Sequence, residues 1–103
     1  MSVTLVAALY LNPGREAEFD RFETAAARIM ARHGGTIDRR IRIAPRAAGE
    51  NLPHEVHIVS FPDATSLQRY RTDPELQGLA ELRTSAIRET VVWTGTELPA
   101  YET

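Results

Sequence analysis

The chain has 103 residues, of which 43% are hydrophobic, 25% charged and 7% aromatic, and it contains no cysteine. That length suits one domain with one core, so two independent domains, collagen-like repeats and wholesale disorder are excluded. A net charge of −2 argues against nucleic acid, and the missing thiols rule out disulfides and thiolate metal sites, as a reducing cytoplasm would allow.

Residues 3–11, Val-Thr-Leu-Val-Ala-Ala-Leu-Tyr-Leu, read as a strand that is apolar on both faces. Val3, Leu5, Ala7, Leu9 and Leu11 share one face, and Val6, Ala8 and Tyr10 share the other. Asn12-Pro13-Gly14 ends the strand and opens a helix, with Asn12 as its expected cap and Pro13 in its first turn. Phe19, Phe22, Ala26, Ile29, Met30 and His33 then recur at three- and four-residue spacing, the stripe of a helix with one buried side. Gly34-Gly35 closes it, where His33 is suited to a helix C-terminus as a cation.

Residues 36–44 alternate Ile37, Ile41 and Ile43 with Asp38, Arg40 and Arg42, which predicts a half-buried strand at a sheet edge. Pro45 to Pro53 is a loop, and His54 is expected to be solvated in the turn after it. Glu55 to Phe61 predicts a central strand, Asp63 caps a short helix bearing Leu67 and Tyr70, and Asp73-Pro74 starts another containing Leu76, Leu79, Leu82 and Arg83. Residues 88–95 form the last strand, followed by an acidic tail.

The order strand, helix, strand, strand, helix, strand predicts an α+β, ferredoxin-like βαββαβ domain over residues 1–103, an antiparallel four-stranded sheet with helices on one face. The first and third strands are apolar twice over, so the bare face exposes greasy side chains whichever way they turn. Burying four or five of them releases on the order of 10 kcal/mol, so a homodimer packed sheet to sheet is expected. Which face turns toward the helices stays open.

Residues 12–19, Asn-Pro-Gly-Arg-Glu-Ala-Glu-Phe, and residues 55–62, followed by Tyr70 and Asp73-Pro74-Glu75, resemble the dimeric α/β-barrel superfamily, in a branch of small uncharacterised domains related to antibiotic-biosynthesis monooxygenases. The resemblance implies a pocket between sheet and helices, or inside the barrel, sized for a small aromatic or carbonyl compound. It also implies cofactor-independent oxygenation or isomerisation if the protein is an enzyme, so no cofactor is called for.

His57 is the expected catalytic group, since an imidazole within a central strand titrates near neutrality and suits proton transfer. Tyr10 and Trp93 are expected to orient substrate if the registers bring them to the same face, and Arg40 and Arg42 are suited to binding a carboxylate in bidentate fashion. Glu55 and His57 supply only two ligands, too few for a metal site. There is no phosphate loop, and neither a leader nor a membrane helix is read from the sequence, so a cytoplasmic protein is expected. From Arg28 to Arg46, six arginines face Asp38 alone, whereas residues 47–103 are acidic, a polarity suited to an anionic ligand or a partner subunit. Two functions follow: a binder or enzyme for a small hydrophobic or anionic molecule, and a non-catalytic assembly module. A ligand-sized cavity reached by His57 distinguishes the first from the second.

Overall fold

A computed structural model describes residues 2–102. The chain runs β1 (Val3–Leu11), α1 (Glu16–Arg32), β2 (Thr36–Arg42), β3 (Glu55–Phe61), α2 (Ala64–Arg71), α3 (Pro74–Gln77), α4 (Ala80–Ala86) and β4 (Ile87–Gly95). The four strands form an antiparallel sheet in the order β2-β3-β1-β4, so β3 is central and β2 is an edge, as the sequence predicts. Non-adjacent pairing of β1 with β3 follows from the split βαβ arrangement, in which each helical segment crosses between strands.

Cross-strand pairs share a face, so the register settles which side meets the helices. Leu5 pairs with Val59, Ala7 with His57 and Leu9 with Glu55, and these residues lie beneath the helices. The opposite, open face carries Val6, Ala8 and Tyr10 from β1 and Val56 and Ile58 from β3. Trp93 pairs with Val6 and joins that open face, 57% exposed.

The core divides in two. One cluster joins Leu9 to Phe19, Phe22, Ala26, Ala86 and Ile87; the other joins Leu5 to Met30, Val59, Phe61 and Leu67. The small side chain of Ala7 lies between Leu5 and Leu9 on the sheet, and the space above it stays unfilled.

Several local expectations are corrected. Asn12 does not cap α1, whose N-cap is Arg15. The Asn12 side-chain amide instead donates to the carbonyls of Thr84 and Ser85, at 3.1 and 3.0 Å, and so satisfies the exposed end of α4. The segment after Asp73-Pro74 is not one helix, because it breaks at Gly78-Leu79 into α3 and α4. His54 is not solvated: its ring packs edge-on against Phe19 at 5.2 Å, and its Nε2 is buried. His33 finds its partner in Asp73, Nε2 to Oδ2 at 2.8 Å, which ties the end of α1 to the α2–α3 junction. The half-buried alternation of β2 is also broken. A bulge between Ile37 and Arg39 shifts the register, so Ile37 faces the helices while Ile41 faces the open side.

Candidate functional site

The bulge decides the electrostatics of the site. Beyond it, Arg40 pairs with His57 and Arg42 with Glu55, so both arginines lie on the helix side of the sheet, each still about half exposed at its edge. There Arg40 Nε donates to Glu55 Oε1 at 2.8 Å and its terminal nitrogen approaches Oε2 at 3.3 Å, a forked contact. Arg42 reaches the same carboxylate at 3.5 Å. The carboxylate these two arginines bind is therefore the chain's own Glu55, which is only 1% exposed.

Glu55 and His57 are two residues apart on one strand face, and Glu55 Oε1 lies 3.4 Å from His57 Nε2. Burial works against the charge on Glu55, but the hydrogen bond and charge of Arg40, helped by His57, prevail and hold its pKa below the usual carboxylate range. For His57 the balance falls the other way: burial outweighs the pull of Glu55, so the imidazole titrates below its ordinary value. A neutral ring beside an ionised carboxylate keeps its proton on Nε2, which leaves Nδ1 as a lone pair. That nitrogen faces α1, where Glu23 Oε2 stands 3.8 Å away, beyond hydrogen-bonding distance.

Glu23 interrupts the apolar stripe of α1, four residues after Phe19 and three before Ala26, so its side chain is driven toward the core. Burial, reinforced by the negative charge of Glu55, pushes its carboxyl up to about 7. Tyr70, on α2, is likewise raised to about 12 by burial and by Glu23. An acid poised at neutrality beside a neutral base is the equipment of proton transfer.

These groups line the unfilled space between the two core clusters, a cavity of about 370 Å³. Its walls are mainly apolar, with Leu5, Phe22, Met30, Val59 and Leu67 prominent, while Glu23, His57 and Tyr70 are among the polar residues that line it, as is Thr90, whose buried hydroxyl has no partner among the described residues. Among the described residues, no group of three or more His, Asp or Glu side chains is placed to hold a metal ion. No described helix is long and apolar enough to cross a membrane.

The structure thus brings His57, Arg40 and Arg42 together and separates them from Tyr10 and Trp93, which lie on the opposite face of the sheet. The expectation that the two aromatics share a face with His57 fails because residues at odd positions of β1, and their partners on β3 and β4, turn toward the helices. Tyr10 stacks instead under Arg88, whose guanidinium carbon is 5.3 Å from the ring centre. Glu23 was not singled out from sequence, although a carboxylate within an apolar helical stripe is the signal that finds it.

A family described as a domain of unknown function, DUF1330, matches residues 6–96. The chain belongs to the DUF1330 family. No functionally curated protein matches it. Among solved structures, it is similar to a protein of unknown function from Rhodopseudomonas palustris, at 13% identity and TM-score 0.80, over 96% of this chain and 84% of that one. It is similar to SnoaB, a cofactor-independent oxygenase from Streptomyces nogalater, at 20% identity and TM-score 0.70, over 96% and 95% of the two chains. A dimeric ferredoxin-like protein of unknown function from Thermobifida fusca matches at 12% identity and TM-score 0.68, over 94% and 92%. At such identities the likeness establishes the fold, the ferredoxin-like arrangement shared with monooxygenase-like proteins, and leaves the chemistry to the site.

Proposed function

We propose that this DUF1330 protein is a homodimer that binds a small hydrophobic or anionic compound in the helix-side cavity and moves protons to and from it. One observation carries the reading: a ligand-sized, mainly apolar cavity has both an imidazole and a neutral-range carboxyl on its wall. His57 Nδ1 is the proton acceptor, held in orientation by Glu55, and Glu55 is held in turn by Arg40 and Arg42. Glu23, facing it across the gap, returns a proton. Isomerisation of a carbonyl compound needs only these two transfers, and deprotonating a phenol or enol makes the electron-rich anion that cofactor-independent oxygenation begins from. The likeness to SnoaB supports the second of these chemistries by fold alone.

The dimer rests on the open face. Val6, Val56, Ile58, Ile41 and Trp93 form an apolar surface that the helices do not cover. Packing two such sheets together removes it from water, and the dimeric relative from Thermobifida fusca supports that assembly. An assembly module without chemistry accounts for the open face equally well, but not for a cavity with His57 and Glu23 on its wall.

A thermal-shift screen with phenolic, quinone and lactone compounds tests the reading, because a ligand of the native state raises the melting temperature. Hits are expected, and His57→Ala should abolish turnover of any hit that is converted while leaving the dimer intact. A screen without hits, or turnover unchanged by His57→Ala, contradicts it.

A further inference from the structure

The mouth of the cavity carries two cations that proton transfer leaves unused. Arg71, at the end of α2, and Arg83, on α4, both line it on the solvent side. Arg32, Arg40, Arg42 and Arg46 each lie within ion-pair distance of a carboxylate, but among the described residues Arg71 and Arg83 do not. Arg83 lines the same cavity as Glu23 and Tyr70, and its charge lowers the pKa of each, the smallest of the effects on either group. A guanidinium lining the same space as the acid and the imidazole, beside apolar walls, is suited to one end of an amphipathic ligand.

We propose that the cavity takes a small apolar carboxylic acid, its carboxylate on Arg83 at the mouth and its carbon skeleton between Met30, Val59 and Leu67. The inference rests on the binding reading above and narrows it to a ligand class. The planar fork of a guanidinium matches a carboxylate in two parallel hydrogen bonds, and partial removal from water strengthens them. A volume of about 370 Å³ admits a molecule the size of on the order of ten water-sized groups, which suits a phenyl ring with a short acid side chain. A phosphate dianion is disfavoured, since it brings a second negative charge toward Glu23 and Glu55.

Binding should be coupled to a proton. Glu23 is faced by Glu55 and His57 from β3, Arg40 from β2, Tyr70 from α2 and Arg83 from α4, with Asp20 one turn earlier on α1. An incoming carboxylate adds negative charge and draws Arg83 away from Glu23, and both effects favour the protonated acid. Affinity therefore falls as pH rises through neutrality.

Calorimetric titration of the full chain with benzoate, phenylacetate and 3-phenylpropanoate, each against its primary amide at pH 6 and pH 8, tests this. At least one acid is expected to bind about tenfold or more tightly than its amide at pH 6, with a smaller margin at pH 8. Arg83→Gln should erase the margin, and Arg83→Lys, which keeps the charge but not the fork, should retain part of it. Amides binding as well as acids, or a preference that survives in Arg83→Gln, overturns the ligand class while leaving the cavity a binding site. Failure of every acid and every amide to bind overturns both.

Discussion

Arg40 Nε lies 2.8 Å from Glu55 Oε1, so a cation from an edge strand closes over a carboxylate that is almost wholly removed from water. Arg40 itself stays half exposed, which makes the pair asymmetric: the guanidinium loses little hydration, while Glu55 depends on it. The site is anchored from the sheet edge inward, through Glu55 to His57.

Removing that anchor should cost stability. Arg40→Ala leaves Glu55 buried with only the longer contact to Arg42, and a loss of about 2–3 kcal/mol is expected, below the full cost of a broken buried pair because one partner is half exposed. The folded pKa of Glu55 is depressed, so this contribution is present above its unfolded pKa and fades as the pH falls through the folded value. Urea melts of both proteins should therefore differ widely at pH 7 and converge on acidification.

Glu23 should behave oppositely. Its carboxyl is raised from 4.5 to about 7, so its contribution to stability is fully present below pH 4.5 and lost as the pH rises through 7. Glu23→Gln keeps the shape and removes the ionisation. Relative to the parent, it should gain on the order of 2–3 kcal/mol between pH 5 and pH 8, measured by denaturant unfolding at the two values. A pH-independent difference would show that Glu23 ionises freely.

Gly35 has less room for a side chain than any other glycine of the chain. A Cβ there would stand 2.5 Å from Met30 Cγ and 2.5 Å from Phe61 Cε1, so Gly35→Ala is expected to cost about 2–3 kcal/mol through overpacking. Gly14 has φ +76° but open space around it, and Gly14→Ala should cost only about 1–2 kcal/mol, from the left-handed conformation alone. Thermal unfolding of the two variants gives the ranking.

The open face should govern assembly without touching the cavity. Trp93→Glu places a charge among Val6 and its neighbours and is expected to shift the protein from dimer to monomer, read by sedimentation at micromolar concentration. The parent should sediment at twice the 11.5 kDa of one chain, and a parent that sediments as a single subunit contradicts the dimer.

Much of this architecture is legible in the sequence because its punctuation is physical. Asp63 caps α2 by accepting from the Ser66 amide, Pro74 opens α3, and Gly34 takes the positive φ that ends α1. The site was less legible. The alternation of β1 and β3 is apolar in both phases, so periodicity alone does not choose the face that meets the helices. Only the pairing of Ala7 with His57 and of Val6 with Trp93 parts the imidazole from the aromatics. The bulge after Ile37 inverts the expected sides of β2, and no glycine or proline within the strand announces it. Glu23 was legible in principle, as a charge at a core position of α1.

Central to the account is the claim that ligand chemistry belongs to the helix side of the sheet and assembly to the other. Methyl-resolved NMR of the dimer, titrated with a compound from the thermal-shift screen, separates the faces directly. Shifts confined to Leu5, Leu9, Val59 and Leu67, with Val6, Val56 and Ile58 unmoved, are the predicted result. Shifts gathered on Val6, Val56 and Ile58 instead would contradict it.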